Sequence, residues 1–510
     1  MDKREGEARV WPWNVMVVLV LSVLAFPAES ATLRWDTTEG DSAVTGGSGD
    51  WFDGDPAGGG TSPQNWTSDG GTTNQYWSNG TPDSATFDVG SGTVTLTADI
   101  TAQSITIDDG VDYTLTGTNM LSVGGGGIDS GFGVDAQLSV ETPVSLTANQ
   151  GWRIPQNDLV EITGDVSGNV TWSKNGVGTL RLSGDNSGFT GRLNITQGEL
   201  EIGSNTATGT GVLDMDGSNP AFGAVNGNRT VATTLDVFIG NPGSTGTVFF
   251  GSHDLTFTDG FDIRGGNTGD PGIWNMTVNG SGIISFTGDI GDTQNPKGMQ
   301  KLGPGALALG GNNSLSSTID VDAGTLLVNG QTATLSTVSV NGGTIAGGGT
   351  VVADGGLSVG SDGTLSPGES VGVLTVDGDL HFDAGSTFAT EIQGVGTAGI
   401  DYDQLVLADG DAVLGGTLEP VFDPFAAVIG DAVFLIDNQA ATTTGTFGVA
   451  DDQVIGTFNG LDWAITYDAD VAGSLLDGGN DVALYAVPEP AAALLLLVGS
   501  ALLWGRRNRA

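Results

Sequence analysis

The chain contains no cysteine, so disulfides, thiolate metal sites and cysteine nucleophiles are all excluded. Its fold must hold by burial and hydrogen bonding alone. Histidine occurs only at His253 and His381, too far apart to build a zinc site without thiolates. Basic residues are scarce: 15 Lys and Arg stand against 60 Asp and Glu, a formal charge of −45. Such a charge repels phosphates, which excludes nucleic acid and anionic lipid surfaces as partners of the body. Apolar runs long enough to matter to a membrane are confined to the two ends. Helix formers such as Lys, Gln and Met are thin throughout.

What is present points to strands. Glycine supplies 86 of 510 residues, and Thr, Ser, Asn and Asp abound between them. Val, Ile, Leu and Thr recur in short alternating runs bounded by Gly, Asn and Asp, the pattern of short strands joined by tight turns. That regular alternation also argues against Gly-rich disorder. An all-β fold is expected.

Internal repetition then narrows the architecture. One unit runs Lys174-Asn-Gly176-Val-Gly178-Thr-Leu180-Arg-Leu182-Ser-Gly184-Asp-Asn186, then Leu193-Asn-Ile195, then Gly198-Glu-Leu200-Glu-Ile202. A second runs Lys301-Leu-Gly303-Pro-Gly305-Ala-Leu307-Ala-Leu309-Gly-Gly311-Asn-Asn313, then Ile319-Asp-Val321, then Gly324-Thr-Leu326-Leu-Val328, offset by 127 residues in its first half. Leu180 and Leu182 would share one face, with Thr179 and Arg181 on the other. Such a unit cannot bury its apolar face alone, whereas stacked units share a continuous core. Asn186 and Asn313 fall at turns, where a left-handed conformation or an Asn ladder between rungs would suit them.

These units resemble the autotransporter-associated β-strand repeat of passenger-like surface proteins. The resemblance implies a right-handed parallel β-helix. The runs around Gly347-Gly-Gly349, Gly363 to Val376 and Gly378 to Phe382 extend the pattern, and Asp401 to Leu418 resembles the end of a passenger helix. The expected division is 1–30 signal peptide, 31–90 Trp- and Gly-rich leader or cap, 91–400 solenoid with repeats at 174–203 and 299–330, 401–486 terminal β cap, and 487–510 sorting signal. Within the leader, Trp35, Trp51, Trp66, Tyr76 and Trp77 could stack on sugars, but the reading preferred is that they plug the open end of the solenoid.

The two ends carry the topology. Lys3, Arg4 and Arg9 precede an apolar run from Val15 to Phe26, and Ala28-Glu29-Ser30 places small residues before Ala31. These are the parts of a secretory signal cleaved between Ser30 and Ala31; acidic Asp2, Glu5 and Glu7 dilute its basic region. Twelve apolar residues fall short of the ~20 that an anchor needs. At the other end stand Val487-Pro488-Glu489-Pro490, an uncharged run from Ala491 to Trp504, and the basic cluster Arg506, Arg507, Arg509. Fourteen residues give about 21 Å of helix against a core of ~30 Å, a marginal span that snorkelling arginines would extend. Those arginines would stay cytoplasmic. This end resembles the PEP-CTERM sorting domain of Gram-negative bacteria. The resemblance implies a transient inner-membrane transmembrane helix, processing at Val487 to Pro490 by an exosortase-type enzyme, and delivery to the outer membrane, cell surface or matrix. The implied partners are that enzyme, the Sec translocon and exopolysaccharide.

Motifs that suggest chemistry lack their context. Gly368-Glu-Ser370-Val-Gly372 fits a nucleophile elbow, but that elbow needs a strand-to-helix turn and a downstream acid and histidine. Gly394-Val-Gly396-Thr-Ala-Gly399 fits a dinucleotide fingerprint without opening a helix. Gly478-Gly-Asn480-Asp481 is half of a Ca²⁺-binding rung, unrepeated. No catalytic, cofactor or metal residues are expected, with only weak Ca²⁺ binding by Asp-rich turns left open. Between Ala31 and Pro490 there are 9 basic and 56 acidic residues, a balance of −47. A lyase for acidic sugars would need clustered cations. The expectation is therefore a non-enzymatic exported surface or matrix protein; a polysaccharide lyase or glycosidase on the same scaffold is the alternative.

Overall fold

The computed structural model describes residues 30–54, 64–80, 82–108, 110–131, 135–215, 220–239, 246–265, 272–292, 296–439 and 442–488. They form a right-handed-type parallel β-solenoid of about 13 turns. Two sheets run its whole length. The first starts at Thr32–Trp35 and passes through Thr171–Asn175 and Gln331–Thr334 to Ala432–Asn438. The second starts at Gly49–Trp51 and ends at Thr443–Gly445. A third wall is irregular in the first half, where short strands such as Val144–Leu146 and the 3₁₀ turn Asn186–Gly188 serve. It becomes a continuous sheet from Arg229–Val231 to Thr417–Phe422.

The alternation read from sequence sets the register. On the second sheet Leu138, Val160, Leu180, Leu200, Phe222 and Phe249 pair in succession, one per turn. All six are buried in one central cluster. Their outward neighbours Glu161, Arg181 and Glu201 pair in the same way and form a charged ladder. A one-residue slip would exchange these two columns, so burial fixes the register. Each fully buried Leu or Phe contributes roughly 1.5–3 kcal/mol.

The repeat is tied to a corner rather than to a face. In the first copy Thr179–Leu182 lies on the second sheet, whereas the matching Ala306–Leu309 of the second copy lies on the third. The insertion between the copies has turned the unit forward by one face. The two copies nevertheless keep the same corner, with Gly-Xaa-Gly after the lysine and a buried asparagine as polar anchor.

That anchor differs from the sequence expectation for the asparagines. Asn186 and Asn313 do not adopt positive φ. They do not stack on one another as a ladder either. Asn186 Oδ1 accepts from Val166 N (2.7 Å) in the preceding turn, and its Nδ2 donates to Ala207 O (2.6 Å) in the next. Asn313 likewise accepts from Ile290 N (3.1 Å) and donates to Gln331 O (3.3 Å). Each is a buried rivet through three turns, satisfying backbone groups that a corner leaves outside the ladder.

Both open ends are covered by aromatics. Near the start, Trp35, Trp51, Trp66 and Trp77 are buried and pack with Phe87, ring centroids 4.8–5.9 Å apart. Tyr76 stands aside, half-buried against Phe52. At the other end the parallel ladder continues past residue 400, through Gln404–Asp409 and Thr417–Phe422. It then changes sense: Ala432–Asn438 pairs antiparallel with Asp481–Val487, which pairs antiparallel with Leu461–Ala469. Trp463 packs there on Phe422. Covering the terminal strands in this way removes edges that would template aggregation. Among the described residues no helix is long and apolar enough to cross a membrane. The Val15–Phe26 and Ala491–Trp504 runs lie outside those residues.

Candidate functional site

The repeat corners hold the most unusual polar chemistry. Lys174 and Lys301 occupy matching positions in the two units and are both fully buried. Lys174 Nζ donates to Gly176 O (2.7 Å) in its own turn and Gln197 O (2.9 Å) in the next. Lys301 Nζ donates to Leu302 O and Gly303 O (both 2.9 Å) and across to Ala323 O (3.0 Å). Burial lowers the Lys174 ammonium to about 7, against the pull of Glu199, and lowers Lys301 to about 8. The residue facing each ammonium is a glycine in the left-handed region, Gly198 (φ +74) and Gly324 (φ +65); a Cβ there would sit 2.6 and 2.8 Å from Nζ. The lysine is therefore a staple between consecutive corners. Sequence reading found it in the repeat but gave no reason to bury it.

The other cations are also built into the wall. Arg153 pairs with Asp129, Arg34 with Asp88, and Arg181 with Glu161 and Glu201. Arg192 bridges Asp214 (2.6 Å) and Asp236 (2.7 Å), and Arg264 closes on Asp236. Arg229 donates to Val225 O and Asn226 O, and Lys297 is fully buried. All nine basic residues of the body are thus paired or buried. Among the described residues every arginine is paired with an acid or a backbone carbonyl and every lysine is buried.

The nucleophile-elbow pattern sits on a corner, not on a strand-to-helix turn. Gly368 follows Thr364–Pro367 of the third sheet with φ +87 and bridges Gly347. Ser370 is exposed, and the corner leads into another strand, Val373–Asp377. Gly372 N donates to buried Asp403 (2.8 Å), whose other oxygen accepts from Glu391 N (2.7 Å). Burial raises the Asp403 carboxyl to about 7, with the nearby Glu391 charge adding to the effect and the two amides opposing it. This acid pins the corner, with each oxygen committed to a backbone amide. His381 lies on the second sheet, where Nε2 meets Asp383 (3.1 Å).

Beside this corner the third sheet carries a shallow groove of about 330 Å³. Ala306, Leu327 and Ala346 line its floor, with Glu369 and Glu391 on the acidic side. It contains neither an aromatic ring nor a cation. The other patterns resolve into structure as well. Gly394 to Gly399 is a hairpin wrapped around Asp401, whose Oδ2 accepts from Thr397 N (2.6 Å). Asp481 spends its two oxygens on Asn438 N and Val471 N, both 2.7 Å. Among the described residues no group of three or more His, Asp and Glu is placed to hold a metal.

The positions expected to be processed fall at the borders of the described residues. Ser30 and Ala31 are exposed and stand immediately before the strand Thr32–Trp35. Val487 ends the last strand of the cap and Pro488 is the last described residue. Glu489, Pro490, Arg506, Arg507 and Arg509 lie outside the described residues.

Comparison with known proteins agrees with the repeat pattern. Residues 173–202 and 299–328 match the passenger-associated-transport-repeat family. The chain is also similar to an adhesin autotransporter, BmaC, of Brucella suis biovar 1 (strain 1330): 28% identity over 314 residues. That match covers 60% of this chain but 8% of the adhesin, so the chain corresponds to a small part of its relative's length.

Proposed function

We propose that this chain is an exported, cell-surface or matrix-associated β-solenoid of the adhesin-passenger kind. In this reading it works by display and contact and catalyses no reaction. The carrying observation is a parallel ladder that contains two passenger-type repeats, in a chain similar over 314 residues to an adhesin. The use of every body cation in the wall favours a scaffold over an enzyme for acidic polysaccharides. A dense negative surface keeps such a rod soluble and separates it from its neighbours. Its contacts would be with neutral polysaccharide, along the exposed Thr- and Ser-rich faces.

Delivery is part of the same proposal. A signal cleaved between Ser30 and Ala31 and the Sec translocon would take the chain across the inner membrane. The Ala491–Trp504 segment would hold it there transiently, with Arg506, Arg507 and Arg509 cytoplasmic, until an exosortase-type enzyme acts at Val487 to Pro490. The motif begins at Val487, the last residue of the cap's final strand, so the body up to the motif is a folded unit that such processing would release.

Purified protein incubated with a panel of neutral and acidic polysaccharides, with and without Ca²⁺, tests the scaffold reading. Retention without turnover is expected. Release of reducing ends or unsaturated products from any member would overturn it. Replacing Pro488-Glu489-Pro490 by alanines tests delivery: the chain should accumulate in the inner membrane, and unchanged surface delivery would refute the sorting mechanism.

A further inference from the structure

We propose that Asp83 is the receptor for the α-ammonium group created at Ala31 when the leader is removed, an inference that rests on the export reading above. Ala31 is held by both of its backbone groups. Its carbonyl accepts from Ser84 N (2.8 Å), and its N–H donates to Asp83 Oδ1 (2.7 Å). The strand that follows, Thr32–Trp35, pairs in parallel with Ser84–Phe87 in the register Thr32 to Ser84. The nitrogen that cleavage would free is thus already docked on a carboxylate.

That carboxylate receives a backbone amide but no cation. Asp83 is only 8% exposed, and in the intact chain the donor it receives is a neutral amide. Other buried acids here gather more donors or an arginine. Asp36 gathers three donors on one oxygen, Asp403 and Asp481 two amides each, and Asp214 and Asp236 arginines. Among the described residues no Lys, Arg or His forms an ion pair with Asp83. A nearly buried carboxylate without a cation is costly.

Hydrolysis of the Ser30–Ala31 peptide bond supplies the missing charge. Water gives its hydroxyl to the Ser30 carbonyl carbon and a proton to the Ala31 nitrogen. That nitrogen takes a further proton near neutral pH to become an ammonium. A distance of 2.7 Å already suits a charge-assisted N⁺–H···O⁻ bond. The gain lands on the first strand, whose Trp35 packs in the buried aromatic cluster at 5.2 Å from Trp66. Processing would therefore tighten the amino-terminal end of the solenoid after export.

The full chain, expressed in an exporting Gram-negative host and recovered from the envelope, gives the test. Its amino-terminal residue is read by sequencing, and hydrogen exchange is followed over Thr32–Trp35. The three lysines of the body, Lys174, Lys297 and Lys301, are all fully buried, so mild acetylation addresses the α-amine selectively. Alanine 31 is expected at the terminus, and acetylation should speed exchange about tenfold, as loss of a charge-assisted bond implies. Asp83→Asn should exchange fast from the start and not respond to acetylation. If that variant does not accumulate, the acetylation response of the native chain decides alone. An exported chain with another terminus, or exchange indifferent to acetylation, or an equal response in Asp83→Asn, overturns this inference and leaves export standing. An unprocessed chain retained in the cytoplasm overturns the export reading itself.

Discussion

Replacing Asn186 by alanine probes what joins one turn to the next. Its amide is buried, accepts from Val166 N at 2.7 Å and donates to Ala207 O at 2.6 Å. Truncation removes two hydrogen bonds, each contributing about 1 kcal/mol net, and leaves two buried backbone groups whose desolvation goes uncompensated at about 1–3 kcal/mol each. A loss of about 3–5 kcal/mol follows when the corner relaxes enough to wet one of the two groups. Trp172 lies 5.7 Å from Phe189 on the same turn and 4.6 Å from Trp152, so its fluorescence reports this region in urea. Hydrogen exchange at Val166 N should accelerate most, because that amide loses its acceptor. The exposed neighbour Ser187 gives a control, and its alanine variant should lie within about 0.5 kcal/mol of the parent. A cost below about 1 kcal/mol for Asn186→Ala, with Val166 protection unchanged, would refute the rivet.

The buried lysines impose a pH dependence. Their folded values of about 7 and 8 lie below the ~10.4 of an unfolded lysine, so the unfolded chain binds more protons between them and stability rises with pH across that window. Urea midpoints measured from pH 7 to 10 should show the rise, and Lys174→Met should flatten part of it. Asp403 acts below: its value of about 7 exceeds the unfolded ~3.9, so stability falls as pH climbs from about 4 to 7. Asp403→Asn should remove that slope in the same titration. Gly198→Ala places a Cβ 2.6 Å from two carbonyl oxygens and from Lys174 Nζ in a left-handed conformation, and should cost more than about 1–2 kcal/mol by chemical unfolding. Trp51→Ala opens the aromatic plug between Trp66 and Trp77 and should cost about 3–5 kcal/mol, with increased aggregation by light scattering.

The inward columns were readable because strand periodicity is two and the apolar residues obey it: Leu180 and Leu182 point in, Arg181 out. The repeat corners were readable from the glycines that both copies share, Gly176 and Gly178 in one and Gly303 and Gly305 in the other. Less visible was the chemistry that serves long-range neighbours. Nothing local distinguishes a lysine that will be buried over two turns from one that faces water; only the glycine at 198, left-handed and 24 residues later, betrays the space it needs. The asparagines looked like turn residues because Asn favours turns, yet their partners lie about 20 residues away on either side. The rotation of the second repeat onto another sheet was hidden for the same reason: the face depends on the chain inserted between the copies, not on the unit. The chemical-looking motifs around Ser370 and Gly394 lacked supporting context in sequence, and the fold assigns both to corner and hairpin geometry.

Surface accessibility of the solenoid on intact cells bears most directly on the proposed role. Cells producing the full chain would be treated with an added protease or labelled with antibody raised against residues 91–400, before and after permeabilisation. The account predicts that the body is reached on intact cells. It also predicts that alanines at Pro488-Glu489-Pro490 confine it to the inner membrane, where it is reached only after the envelope is opened. A body found in the cytoplasm, with residues 1–30 still attached, would contradict the account.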